Sequence, residues 1–467
     1  MDNSTKKLLG GSMVYFLGSA LSQLLSLLLM RFVTGHIAPE EYGFYNLVVT
    51  ISNLVIPFVT LQMADALYRF VIRSKEEQDK KAYFTITFIV SFISTLLTFV
   101  GVFIIDLFFY DMPYPVLVAI YIAVHAILGI YQKMVRSLNK NKIFVAGSLL
   151  KTFVFLSSEI LLISLLDMRG EALFIANILC TVVFLVYAEI RVHALKYFDL
   201  HSLKLSAFKE MIGYSAPLIP NAAFWWMTSS VNSLIVSVRM GMDINGIYTV
   251  SNKFSTVLSL VTSVLNMSWQ DSAVAEYGSD GFKAFFTKTF NTFFKLIFSA
   301  IAVLIPFVAI VFPHMIAETY YSAIPYVPFL LLASGISTFS GFMAQIFCGQ
   351  GKTHKSLVTS LCGMIVNIFV IFVFVDKIGL WAAVFGSLAS DTVLFATRTF
   401  MVRKEFAKGI EKFRFIIVAL MLITSVVVYL NFGVVHNVVW FIIVATLAVI
   451  LNFEFIKNIF LLIFKRA

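Results

Sequence analysis

The sequence predicts an all-α polytopic membrane protein with about fourteen transmembrane helices, arranged as two pseudo-symmetric six-helix lobes followed by a C-terminal helix pair. Three observations carry this. Hydrophobic residues make up 60% of the 467 residues and the mean hydropathy is +0.92, which leaves a water-soluble chain no polar surface to show. Apolar stretches long enough to cross the roughly 30 Å hydrocarbon layer recur between short charged loops. Lysine and arginine then fall on one side of the bilayer, the side alternating correctly after each span, as the positive-inside rule requires. The exceptions are Arg31, Arg169, Arg239 and Lys377, which fall toward the other side, and Lys151, Lys253 and Lys295, which fall within spans.

Spans are expected near 12–34, 40–66, 83–109, 113–132, 144–166, 171–190, 211–238, 246–268, 289–312, 325–348, 356–376, 379–399, 415–431 and 437–456. They must be helices, because backbone amides in lipid need internal partners and the runs lack the alternation of an outer-membrane barrel. An even number puts both termini on the cytosolic side of a bacterial inner membrane. Lys6 and Lys7 precede the first span with no small-residue cleavage site after it, so that span reads as a retained helix.

The first span carries Ser12, Tyr15, Ser19, Ser22 and Ser26 on one face and ends at Arg31; small hydroxyl residues of this kind also serve close helix packing. The second carries Asn46, Asn53, Pro57 and Thr60, with Asp65 at its end. Lys151 and Glu159 lie in the fifth span, and Lys151, like Arg398 at the end of the twelfth, can also snorkel to headgroups. In the seventh, Asn221, Trp225, Thr228 and Asn232 lead to Arg239, while Pro217 and Pro220 predict a kink, as Pro57 does in the second. Trp225 and Trp226 are candidates for stacking on sugar rings, although interfacial anchoring is the commoner use of tryptophan.

The eighth span holds the longest polar stripe: Asn245, Thr249, Asn252, Thr256, Ser259, Ser263, Asn266 and Gln270 recur in steps of four and three, with Lys253 beside them. Such a stripe should not face lipid. Lys295 lies in the ninth span between Asn291 and Ser299, and Asp391 in the twelfth. Charges at depth are costly unless they face water or a partner, so Arg31, Lys253 and Lys295 read as substrate-binding cations, and Asp65, Glu159 and Asp391 as candidates for ion coupling.

The halves echo one another. Gly43 and Tyr45 opening the second span match Gly246 and Tyr248 opening the eighth, and a basic turn (Asn139 to Lys142; Lys352 to Lys355) precedes, in each half, a helix and then a glycine, Gly170 or Gly379. Two like-oriented repeats imply lobes at 1–205 and 206–405, an added helix pair at 406–467, and a central cavity of the kind duplicated transporters use. The connections 191–210, 269–288 and 400–414 are the longest hydrophilic stretches, and the first reads as an interfacial helix.

Other chemistries are excluded. The net charge of +10 is dispersed through short loops, where it signals topology and meets anionic lipid, not nucleic acid. Gly349 to Thr353 resembles the tail of a phosphate-binding loop but follows a membrane helix and lacks the first glycine. His193 and His201 lack partners at metal spacing, no Ser/His/Asp grouping is recognisable, and Cys180, Cys348 and Cys362 read as core residues. Asn3 to Thr5 would lie in the cytosol, where no glycosylation occurs. Neither enzyme activity nor a cofactor is expected.

Length, the six-plus-six-plus-two arrangement and the signatures Tyr42-Gly-Phe-Tyr45, Arg136-Ser-Leu-Asn-Lys140 and Gly379-Leu-Trp-Ala-Ala383 together resemble the Wzx-type polysaccharide-repeat flippases of the multidrug/oligosaccharidyl-lipid/polysaccharide exporter superfamily. The resemblance covers residues 10–400 and implies a MATE-like fold, alternating access and a cavity with cationic residues, roles open to Arg31, Lys253 and Lys295. It implies as substrate an undecaprenyl diphosphate carrying an oligosaccharide, for O-antigen or capsule biosynthesis. Partners would be membrane lipids, a polysaccharide polymerase and chain-length proteins, with H+ or Na+ as coupling ion. A drug/cation antiporter should instead gather acids in its cavity, whereas a peptidoglycan lipid-precursor flippase shares the cationic cavity. A membrane-embedded glycosyl transferase needs acidic catalysts on a large outer loop, and the loop 313–328 offers only Glu318.

Overall fold

The computed structural model of the chain describes residues 29–108, 111–350, 352, 354–455 and 457, and among these there are helices and no strand. Ten described helices are long and apolar enough to cross a membrane. Contacts divide the chain after Ser237 into two compact units.

The first unit contains α1 (Met30–His36), α2 (Pro39–Val59), α3 (Met63–Arg73), α4 (Glu77–Phe108), α5 (Pro115–Ser137), α6 (Asn141–Leu166) and α7 (Gly170–Val192). Two 3-10 turns (Ala194–Tyr197 and Leu200–Ser202) and α8 (Leu205–Ser215) then lead into α9 (Leu218–Met240), whose last turn passes into the second unit. The expected second span is broken: α2 stops two residues after Pro57, which has no N–H to continue the ladder. Leu61 and Gln62 follow with φ of 51° and 53°, and Gln62 N–H closes the break on the Pro57 carbonyl at 3.1 Å. α3 restarts as an amphipathic helix. Its Met63, Ala66, Leu67 and Val71 are buried at helical spacing against Met134 of α5 and Met211 of α8, while Arg69 and Arg73 lie on its other flank. The expected seventh span divides likewise, with Pro217 between α8 and α9 and Pro220 in the first turn of α9, where a missing N–H costs nothing.

The second unit contains α10 (Met242–Glu276), α11 (Phe282–Met315), a 3-10 segment (Glu318–Tyr326), α12 (Val327–Gly349), α13 (His354–Ile378), α14 (Trp381–Val402), α15 (Lys412–Asn431) and α16 (Val434–Leu451). Its core is aromatic: Trp269 stacks on Phe342 at 4.5 Å, and Phe290 and Phe339 meet at 4.9 Å. The C-terminal pair packs on α11, where Ser425 donates to the Ala302 carbonyl (2.8 Å) and Asn452 to Ser299 Oγ (2.9 Å). Helix α10 has 35 residues, roughly 52 Å at the α-helical rise. The hydrophilic connection expected at 269–288 therefore shrinks to the few residues between Glu276 and Phe282. Hydropathy marks where the apolar run ends, and the helix continues past it.

Glycine sets the closest helix approach. A Cβ on Gly386 of α14 would stand 2.7 Å from Asn367 Oδ1 of α13, and one on Gly363 of α13 would stand 3.1 Å from Ser390 Oγ. These two helices meet through small residues, as membrane helices without a hydrophobic driving force must. Outward faces stay apolar and exposed, for example at Phe92, Leu96 and Leu107 of α4 and Phe413, Leu420 and Ile423 of α15. In lipid such surfaces need no cover.

Candidate functional site

On α10, Ser251, Ser255, Ser259, Thr262, Asn266 and Trp269 recur at helical spacing, and several of them are met by α12. Ser259 and Ser334 share a hydrogen bond at 3.0 Å, Ser334 Oγ donates to the Ser255 carbonyl at 3.3 Å, and Thr262 and Thr338 pair at 3.2 Å. Trp269 Nε1 donates to the Phe342 carbonyl at 2.9 Å. Asn266 Nδ2 faces Gly341, where a Cβ would meet it at an ordinary van der Waals distance of 3.7 Å, and its Oδ1 is buried without a hydrogen-bond partner among the described residues.

The polar stripe expected on this helix thus has two parts. One edge, Ser259 and Asn266, is turned toward α12. Its middle is not: Thr249 and Thr256 bond only their own helix, to the Asn245 and Asn252 carbonyls, and the Asn252 amide makes no hydrogen bond with a described residue. Lys253 lies on the flank beyond, half-buried. This open strip of amide and hydroxyls, with the Lys253 ammonium beside it, offers donors to an anionic, hydroxyl-rich ligand.

A different face of α12 receives charge from α14. Arg398 is 6% exposed, and its guanidinium donates to Ser340 twice, to the carbonyl at 3.0 Å and to Oγ at 3.1 Å. It also donates to Thr359 Oγ1 at 3.1 Å and Ser360 Oγ at 2.9 Å on α13. Asp391, two turns earlier on α14, accepts from the Ser337 hydroxyl of α12 and lies within electrostatic reach of Arg398. Arg398 therefore does not snorkel. Its five N–H donors are better met inside the unit than a lysine's would be, and the signal was available in three hydroxyl residues, Ser340, Thr359 and Ser360, within otherwise apolar stretches.

In the first unit, Tyr45 accepts from Asn177 Nδ2 of α7 and meets Tyr121 of α5 edge-on, with ring centroids 6.4 Å apart. Buried Glu159 of α6 lies within electrostatic reach of Tyr45 and Cys180. Helix α9 is tied to α2 by Trp226 Nε1, which donates to the Thr50 carbonyl at 2.5 Å, and by Asn46, which donates to Ser233 Oγ at 2.9 Å. Trp226 is thus a buried packing residue and not an exposed stacking platform.

The family described as polysaccharide biosynthesis protein matches residues 8–270, more than half of the chain. The chain belongs to this family. No curated protein sequence matches it. Among solved structures, this family member is similar to the lipid II flippase MurJ in its inward closed conformation (TM-score 0.69, 13% identity, covering 97% of this chain and 100% of that one). It is also similar to an inward-facing multidrug resistance MATE family transporter of the MOP superfamily (TM-score 0.67, 15% identity, 82% and 95%). A third is a MOP superfamily transporter from Pyrococcus furiosus with a binding pocket of reversed polarity (TM-score 0.54, 14% identity, 84% and 95%). The family member is a multi-pass membrane protein of MATE- and MurJ-like fold, and its relatives are transporters and flippases, not enzymes.

The sequence-predicted residues scatter across this architecture. Asn252 lies on the open strip of α10 with Lys253 on the flank beside it, and Asn266 lies farther along, at the α12 contact. Arg31 is exposed on α1. Lys295 is 8% exposed and pairs with Glu411 at 2.8 Å, while neighbouring Asn291 donates to the Gly409 carbonyl at 2.9 Å, so this part of α11 holds the 403–411 connection. Asp65 pairs with Lys133 of α5. The side chains of Asn221 and Trp225, and the serines of the first span, lie outside the described residues.

Proposed function

We propose that this chain translocates polyprenyl-diphosphate-linked oligosaccharide repeat units from the cytosolic to the outer leaflet of a bacterial inner membrane, by alternating access, for O-antigen or capsule biosynthesis. The family match is the observation that carries the reading. The open strip around Thr249, Asn252 and Thr256, with Lys253 on its flank, supports it chemically, since a diphosphate needs cations and a sugar needs hydrogen-bonding partners, and neither crosses bare lipid. Both termini are cytosolic in this reading, which rests on the one-sided lysine and arginine distribution. Arg31 and Lys253 meet the diphosphate, with Asn221, Trp225, Asn252 and Asn266 toward the sugars. Lys295, already paired to Glu411, takes a structural role. Asp391, between Ser337 and Arg398, is the coupling residue for H+ or Na+, ahead of Glu159 and Asp65. A polymerase and chain-length proteins consume the product.

Deleting the gene should abolish surface polysaccharide and build up lipid-linked oligosaccharide facing the cytosol. Lys253→Ala should cut surface polysaccharide about tenfold, equivalent to roughly 1.4 kcal/mol of lost transition-state binding, at unchanged membrane abundance. Full complementation by that variant removes Lys253 from the site. A second reading, transport of a peptidoglycan lipid precursor, is favoured by the likeness to the lipid II flippase over nearly the whole chain. Normal surface polysaccharide with impaired growth of the deletion strain decides for it, and altered drug resistance with normal glycans decides for a cation antiporter.

A further inference from the structure

A pocket of about 650 Å³ opens in the first unit between the end of α3, the start of α4 and α8. That volume is within the range of small-ligand sites. Arg69, Arg73 and Lys75 line it together with Glu76, Asp79 and Glu210. An aromatic wall backs these charges: Phe70 packs on Tyr83 at 5.2 Å and edge-on against Tyr214 at 6.0 Å, and the Arg69 guanidinium stacks over Tyr214 at 4.1 Å. Asp79 is met by Lys204 at 3.2 Å. Arg73, Lys75, Glu76 and Glu210 are exposed and form no ion pair with a described residue, although both signs line one cavity.

The balance of these charges defines the ligand. A polyanion would meet the carboxylates of Glu76 and Glu210 as well as the cations, and like-charge juxtaposition is the standard way a site rejects a partner. A small group bearing one anion and one cation satisfies both sets. The phosphate would lie on Arg73 and Lys75, a task for charge-assisted donors, and the ammonium would lie between Glu76 and Glu210 beside the Tyr83 and Tyr214 rings. The same connection says where such a group comes from. Lys204, which touches the pocket through Asp79, is flanked by exposed Leu203 and Leu205, and Leu195, Phe198 and Leu200 are exposed just before them. Apolar side chains set among lysines on a short helical segment are the pattern of an element lying in the membrane interface.

We infer that this pocket binds the phosphate–ammonium headgroup of a zwitterionic phospholipid of the phosphoethanolamine type, held with its acyl chains along the exposed leucines of the α7–α8 connection. The site is independent of the transported substrate. The test is native mass spectrometry of the full-length protein in detergent, with phosphatidylethanolamine and phosphatidylglycerol of identical acyl chains supplied in equal amounts. The zwitterionic lipid should be retained at least fivefold over the anionic one. Arg73→Ala combined with Lys75→Ala should lower its retention at least fivefold. Glu210→Gln should lower phosphatidylethanolamine and raise phosphatidylglycerol, bringing the ratio near one, and Glu76→Gln, on the loop, carries the same expectation independently. These residues are exposed, so the variants should elute as the parent does on size exclusion. Soluble phosphoethanolamine at lipid concentration should not displace the lipid. Equal or preferred retention of phosphatidylglycerol by the parent, a ratio unmoved by both glutamate variants, or displacement by the soluble headgroup each overturns the inference.

Discussion

In the first unit the polar groups inside the bundle meet in pairs, Tyr45 with Asn177, Asn46 with Ser233, and Trp226 with a backbone carbonyl, whereas in the second a single guanidinium joins three helices through four hydrogen bonds. The difference concerns cooperativity. Pairwise ties between membrane helices average about 0.6 kcal/mol and fail one at a time. A buried cation with four acceptors ties α12, α13 and α14 at once, and removing it strands the acceptors and Asp391 together. Because α12 also carries the hydroxyl contacts to α10, the geometry of the open strip near Lys253 depends on the Arg398 cluster, which reaches it through α12.

The sharpest way to break the comparison is Arg398→Met. The variant should lose about 3–5 kcal/mol, the range for removing one partner of a buried charged network, read as a large fall in thermal stability in detergent and in membrane abundance. Arg398→Lys should recover only part, since an ammonium is a point charge that cannot reach both α12 and α13 as the planar fork does. Pairing Arg398→Met with Asp391→Asn should restore stability relative to the single variant. A single variant as stable as the parent removes the contrast between the units.

Much of the fold was legible because the bilayer imposes few solutions: an apolar run long enough to cross it must be a helix. Helix limits were not, because hydropathy reads the lipid thickness and says nothing of Glu77 to Lys81 or Trp269 to Glu276, which α4 and α10 add beyond the apolar runs. Pro57 and Pro217 marked real breaks, since a missing N–H is a local fact of sequence. The α10 stripe was legible as a face but not as two, because periodicity gives direction and not partner; Ser334, Thr338 and Gly341, which claim one edge, are many residues away. Arg398 shows the same limit. A basic residue near a span end reads as snorkelling until Thr359 and Ser360, on another helix, are brought beside it.

Smaller effects sharpen the first side of the comparison. Trp226→Phe loses the donation to Thr50 and leaves part of the indole volume unfilled at a buried site, so it should cost about 2 kcal/mol, roughly half from each. Asn46→Ala, which removes its donation to Ser233, should cost about 0.6 kcal/mol. Both variants tested together should sum to within a few tenths of the separate losses if these ties are independent. A double variant that loses as much as Arg398→Met would show that the first unit is cooperative too.

The smallest effect comes from a charge at the edge of the second unit, and its sign follows from linkage. Burial works to raise the Glu411 carboxyl but is outweighed by the hydrogen bond and charge of Lys295 and the charge of Arg414, so the group is held below its ordinary value of 4.5. A carboxyl with a lowered folded-state pKa contributes stability that is present above its unfolded value and lost as pH falls through the folded one. Stability should therefore be flat from neutral pH down to about 5 and decline below it. Because Glu411 is about one third exposed, screening limits the contribution, and the decline should amount to no more than about 0.5 kcal/mol. Glu411→Gln should start lower at neutral pH, since Lys295 at 10% side-chain exposure loses its partner, and should lack that part of the acid-side decline. Thermal unfolding from pH 7 to pH 4 measures both, and an identical slope in parent and variant would detach Glu411 from the acid response while leaving the Arg398 network untouched.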